Sequence, residues 1–286
     1  MGGVHYLRTL DDSETLNILL SEGGRHLVLI GSGWIGTEVA ATARTLGNEV
    51  TILERNPIPL VNVLGGKLGA MFADPHTENG VHLRPSVVVE SMTGKDGRAT
   101  GVILVGGEVI PADLVLVAAG VIPNIGLADS AGLAVENGVL VDASLKTSGP
   151  DIYAAGDVAN ACHPVAGMHL RSERLANALN GGKAAARSML GEKVSYDNIP
   201  YFSADQFDLG MKYSGFGPLT EGAGIVDRGN RAGREFIAFW LSGGRVVAGM
   251  NVNVREVNNA VQGIIRRANL VDPGRLVDEN VPLASL

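Results

Sequence analysis

The six residues Gly31-Ser32-Gly33-Trp34-Ile35-Gly36 constrain this chain more than any other stretch. A short apolar run, His26-Leu27-Val28-Leu29-Ile30, leads into them. A helical pattern leaves them, with Ile35, Val39, Ala43 and Leu46 on one expected face. Gly47-Asn48 supplies a C-terminal stop, and a second apolar run, Val50-Thr51-Ile52-Leu53, ends on Glu54. Strand, glycine turn, helix, strand and acidic residue are the parts of a dinucleotide-binding βαβ unit.

Each position has a physical reason. Gly31 permits the tight turn out of the strand, and Gly33 has no Cβ to hold a pyrophosphate away from the backbone. Gly36 lets helix and strand pack closely, while the helix N-terminus turns free N–H groups and positive dipole toward the phosphates. Glu54 stands where a carboxylate accepts both ribose hydroxyls and repels a 2′-phosphate, which favours NAD over NADP. Arg55, next to it, argues the other way, since a guanidinium suits that phosphate. A glycine-rich loop that merely turns the chain is the alternative, and the complete βαβ context weighs against it.

The chain has 286 residues, enough for two domains that each bury a core. Hydrophobic content of 45% and charged content of 19% fit a globular protein. A net charge of −7 without any basic run makes nucleic acid an unsuitable partner. The single cysteine, Cys162, excludes a disulfide framework, a cysteine metal cluster and a CxxC redox pair, and it reads as a small apolar residue. The N-terminus has no apolar signal region, and no stretch reaches membrane-spanning length, so the cytoplasm is the expected location.

Along the chain, Tyr6-Leu7-Arg8-Thr9-Leu10 reads as a short edge strand, and Asp12 or Ser13 as the cap of a following helix. Leu64, Leu68, Met71 and Phe72 keep helical spacing until Pro75, which is expected to end or kink the helix. Val81-His82-Leu83 and Val87-Val88-Val89 read as strands, with turns at Lys95-Asp96-Gly97 and Gly106-Gly107. Residues 112–119 form a buried strand running into Gly120. Residues 151–157 read as an apolar strand that stops at Gly156-Asp157. There Asp157 either accepts ligand hydroxyls or caps the next segment. Residues 173–190 form an Ala-rich helix with Leu175, Leu179 and Ala186 inward. Its Gly181-Gly182 pair serves close packing or the approach of a flat ligand. From about Pro200 strands dominate, with a Ser242-Gly243-Gly244 hairpin, Phe236, Phe239 and Trp240 as core, and a last helix carrying Val257, Val261, Ile264 and Ile265.

These motifs in this order resemble the FAD-dependent ferredoxin and rubredoxin reductases. The stretches are GSGWIGTEVAA, Glu54, AAGVIPN, TSGPDIYAAGDVAN, RSERLANALN, YFSADQFDLGM and REFIAFWLSGGRVVAGMNVNV. The resemblance covers nearly the whole chain. It implies an α/β fold: a Rossmann-like NAD-binding domain, the remnant of an FAD-binding domain, and a C-terminal α+β reductase domain. The implied division is 1–20 as the end of the FAD half, 21–125 as the NAD domain, 126–197 as the returning FAD part and 198–286 as the C-terminal domain. It also implies that NADH passes a hydride to FAD, and that electrons then go singly to a ferredoxin or rubredoxin serving an oxygenase or P450. By the same resemblance Gly31, Gly33, Trp34, Ile35 and Gly36 hold the NAD pyrophosphate, and Glu38 is the catalytic residue near nicotinamide and flavin. Glu54 and Arg55 lie at the ribose and Gly120 beside the nucleotide. Arg8, Gly156, Asp157, Glu173, Leu175 and Ala176 contact FAD.

The sequence departs from that family at three places. No glycine fingerprint for the ADP part of FAD precedes residue 31, which implies an N-terminally incomplete form that holds FAD weakly or not at all. Leu175 and Arg174 stand where the family often has Trp and His, and Pro75 interrupts a helix continuous in the relatives. A flavin-free NAD-binding module without activity is therefore the second expectation. A disulfide or peroxide reductase is disfavoured, because a thiol relay needs a partner for Cys162.

Overall fold

The computed structural model describes all 286 residues. The chain divides into two units: Met1–Val121 with Ala204–Leu209, and Ile122–Ser203 with Gly210–Leu286.

In the first unit the short, uniformly apolar runs become strands buried on both faces, as parallel sheets require. Its elements are β1 (Val4–His5), α1 (Leu10–Ser21), β2 (His26–Ile30), α2 (Trp34–Thr45), β3 (Glu49–Leu53), α3 (Val61–Glu78), β4 (His82–Arg84), β5 (Val89–Lys95), β6 (Arg98–Leu104), β7 (Val109–Pro111) and β8 (Leu114–Val117). The parallel sheet has the order β1-β8-β2-β3-β4, and β5-β6-β7 form a separate antiparallel sheet. Leu27, Leu29, Val50, Ile52, Leu114 and Leu116 pack with Leu16, Leu20, Ala40 and Ala43 of α1 and α2. The alternate residues Val28, Leu53 and Val115 pack instead with Val102, Leu104 and Ile110 of the antiparallel sheet. Each fully buried aliphatic side chain contributes about 2 kcal/mol of transfer free energy.

Several sequence expectations are corrected here. Tyr6–Leu10 is not a strand: the strand is β1, and Thr9 caps α1 through a reciprocal box with Asp12. In α2 the inward residues are Trp34, Gly36, Thr37, Ala40, Ala41 and Ala43, while Ile35 is 47% exposed. The small side chains are the ones that let the helix lie close to the sheet. Helix α3 runs through Pro75, and its break falls at Gly65, where φ is 73°. Pro75 sits in the last turn; its missing N–H forfeits the bond to the Met71 carbonyl, while its own carbonyl still accepts from the Asn79 N–H.

The second unit carries α4 (Gly126–Ser130), β9 (Val139–Val141), β10 (Ala159–His163), β11 (Met168–Arg171), α5 (Leu175–Met189), β12 (Tyr201–Gln206), β13 (Leu209–Gly215), β14 (Gly224–Asn230), β15 (Glu235–Ser242), β16 (Arg245–Val252), α6 (Asn258–Arg267) and α7 (Pro273–Val277). Ala204–Leu209, from the second half of β12 to the first residue of β13, belong to the first unit. One sheet has the order β11-β10-β9 and the other β12-β13-β16-β15-β14. Phe239 and Ile237 pack with Val261, Ile264 and Ile265 of α6, as expected for an amphipathic helix on a sheet. Two expectations fail. Residues 151–157 do not form a strand: Gly156–Val158 is a single 3₁₀ turn that enters β10, so Asp157 precedes a strand instead of ending one. On α5, Leu175 and Leu179 are 77% and 56% exposed, Ala186 also faces outward, and Gly181 and Ala185 are buried. Cys162 is half-buried. No helix is long and apolar enough to cross a membrane. The four-part division expected from sequence is finer than these two units.

Candidate nucleotide site

The three glycines of the turn meet three different surroundings. Gly31 has φ +103°, and a Cβ there would lie 2.5 Å from the Ala118 carbonyl oxygen. A Cβ on Gly36 would overlap the Gly31 carbonyl. A Cβ on Gly33 would meet nothing within 4 Å. Gly31 is therefore required by the close approach of the turn to the chain leaving β8, Gly36 by the packing of α2 against the turn, and Gly33 keeps space open at the start of the helix. Gly33 is the N-cap of α2 and has no side chain to bond the first-turn amides. That leaves uncapped N–H groups and the positive end of the helix dipole at an open surface, an arrangement that accepts a diphosphate.

Glu54 follows β3 and lies across this turn. Its Oε2 accepts from the Ser32 N–H at 2.9 Å and the Ser32 hydroxyl at 2.6 Å. Its Oε1 accepts from the Asn56 N–H at 2.7 Å and Asn56 Nδ2 at 2.9 Å. Burial pushes the Glu54 carboxyl up, but the four hydrogen bonds outweigh it and hold the group below the usual carboxylate range. The backbone also joins in, with Glu54 N–H donating to Arg84 O and Val87 N–H donating to Glu54 O. Sequence reading found Glu54 but missed Ser32 and Asn56, which fix its orientation. An Asn two residues after an acid is a common turn residue, and that was the only local signal available.

The other residues expected around the nucleotide divide. Arg55 is exposed, and Gly120 is exposed with φ +106° and no atom within 4 Å of a Cβ. The Trp34 ring is 8% exposed and packs edge-on against Phe72 with ring centroids 5.5 Å apart, so only its backbone remains at the turn. Ile35 and the half-buried Glu38 line an open groove with Leu7, Asn17 and Thr42 between α1 and α2. Behind the turn, Thr37 Oγ1 donates to the Gly33 and Trp34 carbonyls and accepts from Gln206 Nε2 at 2.8 Å.

The residues assigned to FAD fall in both units. Arg8 lies in the first, exposed, with its N–H donating to Asp12 Oδ2. Gly156, Asp157, Glu173, Leu175 and Ala176 lie in the second. There Gly156 has φ +77°, and Asn177 Nδ2 donates to the Gly156 and Ser172 carbonyls. Arg171 donates to the Asp157 carbonyl and pairs with Glu173 at 2.5 Å. Tyr196 donates to Asn177 Oδ1 at 2.9 Å, and burial pushes its hydroxyl up to about 12. At the start of α5 the Arg174 guanidinium lies 3.7 Å over the Phe202 ring.

A parallel sheet with an uncapped, glycine-initiated helix and an acidic residue beyond the next strand defines a nucleotide-binding α/β protein. The chain belongs to the pyridine nucleotide-disulphide oxidoreductase family, whose model matches residues 1–184; a reductase C-terminal model matches residues 201–286. It is 36% identical to rhodocoxin reductase of Rhodococcus erythropolis over 98% of this chain and 65% of that protein. It is 37% identical to putidaredoxin reductase of Pseudomonas putida, over 98% and 66%. The structure is similar to that of the ferredoxin reductase for the CYP199A2 system from Rhodopseudomonas palustris. That likeness has a TM-score of 0.91 and 35% identity, covering 98% of this chain and 68% of the other. The chain thus spans about two thirds of the length of these relatives.

Proposed function

We propose that this chain is the nicotinamide-binding and C-terminal portion of an NADH-dependent FAD ferredoxin reductase. In this reading it carries electrons from NADH through FAD to a [2Fe–2S] ferredoxin or rubredoxin that serves an oxygenase or P450. The open space at Gly33 above an uncapped helix, with Glu54 beside it, carries the reading. The backbone from Gly31 to Gly36 binds the diphosphate, Trp34 and Ile35 contribute main-chain amides, and Glu54 sorts the sugar, with Arg55 and Gly120 at the edge of the site. Glu38 faces the nicotinamide end as the catalytic residue. Arg8, Gly156, Asp157, Glu173, Leu175 and Ala176 hold the FAD. When bound, the flavin accepts a hydride and releases electrons one at a time. The four segments 1–20, 21–125, 126–197 and 198–286 are the corresponding domains, and the cytoplasm is the location.

The residues present fit the nicotinamide nucleotide better than the flavin. The GxGxxG fingerprint stands at the NAD site, and a second reading is an NAD-binding module that is flavin-free and inactive on its own. Titration with NADH tests the first claim, and no perturbation of the protein by NADH or NADPH refutes it. NADH oxidation dependent on a [2Fe–2S] ferredoxin, with and without added FAD, separates the two readings. Turnover supports the reductase; NADH binding without turnover in either condition supports the silent module.

A further inference from the structure

The carboxylate of Glu54 has no acceptor site left for a ligand. An ionised carboxylate offers about four lone-pair positions. Ser32 fills two through its N–H and hydroxyl, and Asn56 fills two through its N–H and side-chain amide. Recognition of a sugar at this residue therefore requires exchange. The backbone donors belong to the turns themselves and cannot leave without breaking them. The Ser32 hydroxyl and the Asn56 amide each move by a side-chain rotation.

We infer that Ser32 and Asn56 are specificity-determining residues that hold Glu54 in a closed latch, which a ribose diol opens by replacing their side-chain donors one for one. The inference rests on the nucleotide-site reading above. A diol brings two donors to the two carboxylate oxygens, which matches the number released. A 2′-phosphate brings charge and no donor at neutral pH, so it gains nothing from displacing either side chain. Glu54 also borders an open pocket of about 180 Å³ with Pro57, Arg84 and Pro85. The latch is a stable resting state, because Ser32 is 1% exposed and its hydroxyl is satisfied only while Glu54 accepts it.

The test is a titration of the intact chain with NADH, the 2′-deoxy analogue of NADH, and NADPH, followed by intrinsic fluorescence. Wild type is compared with Ser32→Ala and Asn56→Ala, and melting temperatures are recorded alongside. Removing the Ser32 hydroxyl frees one acceptor site in advance, so NADH binds about three- to tenfold tighter. NADPH and the 2′-deoxy analogue each keep only the 3′-hydroxyl as a donor at this ribose, so both gain less than NADH. Asn56→Ala shifts NADH in the same direction through the other oxygen. Variants that melt normally but bind NADH with unchanged or weaker affinity overturn the exchange alone. A wild type that binds neither NADH nor NADPH overturns the nucleotide site and the latch together.

Discussion

Helices α2 and α5 both begin without a side-chain cap, yet their first turns are built in opposite ways. At α2 the cap is bare: Gly33 has no side chain, and Ser32 and Glu54 beside it bond to each other. At α5 a cation stands at the cap position itself, with the Arg174 guanidinium held on the Phe202 ring. One helix end offers an open cradle of backbone amides, and the other adds a side-chain charge to the same dipole. The first suits a diphosphate that must approach the main chain. The second suits an anion held at side-chain distance.

The sharpest test of that difference is inside the α2 turn. Gly36→Ala drives a Cβ into the Gly31 carbonyl, so stability falls by about 3 kcal/mol and NADH binding is lost with it. Gly33→Ala leaves stability within about 0.5 kcal/mol of wild type, because its Cβ meets nothing and its φ of −70° is ordinary. Its NADH affinity nevertheless falls about tenfold, since the methyl occupies the diphosphate's approach. Thermal unfolding and NADH titration of both variants check this. Equal melting temperatures would mean that the glycines do not divide between packing and access.

Glu54 supplies the next effect, through pH. Its folded value is lowered, so the stability from its hydrogen bonds is complete above the unfolded carboxylate value and disappears as pH falls through the folded one. The melting-temperature gap between wild type and Glu54→Gln therefore narrows below about pH 4.5, and a gap independent of pH refutes the stabilising role of the four hydrogen bonds to this carboxylate. On the α5 side, Tyr196→Phe removes the bond to Asn177 Oδ1, which orients the amide on the Gly156 and Ser172 carbonyls. It costs about 1 kcal/mol in chemical denaturation.

The same contrast explains what the sequence disclosed. The α2 site was legible because its parts are local and each glycine has one physical reason, visible without neighbours. The role of Glu54 was half legible: an acid after the second strand is a spacing argument, whereas its bonds to Ser32 and Asn56 depend on where a turn folds back. The α5 region was misread. The apolar stretch 152–155 predicts a strand ending at Asp157, but a left-handed Gly156 diverts the chain into a 3₁₀ turn first. Hydropathy predicts Leu175 and Leu179 inward, although the buried residues of α5 are Gly181 and Ala185. Periodicity finds the apolar stripe of a helix, and it fails where close packing selects small residues instead. The inward face of α2 shows the same failure at Ile35, which is exposed while Gly36 and Ala40 are buried, whereas Ala43 lies inward as the spacing predicts.

The smallest effect tests that last point directly. Gly181 and Gly182 are adjacent in the middle of α5, but a Cβ on Gly181 would lie 3.6 Å from the Gly156 N and 3.7 Å from the Ala155 Cβ, whereas one on Gly182 would meet nothing within 4 Å. Alanine at position 182 removes the backbone entropy of an exposed helical glycine and crowds no neighbour, so Gly182→Ala stabilises the chain by about 0.5–1 kcal/mol. Gly181→Ala has the same propensity gain offset by tighter contact with the Gly156 turn, and its net change is smaller. Urea midpoints of the two variants read the difference. A larger gain at 181 than at 182 would show that α5 has slack against the Gly156 turn, and that small residues on its inner face are not there for close approach.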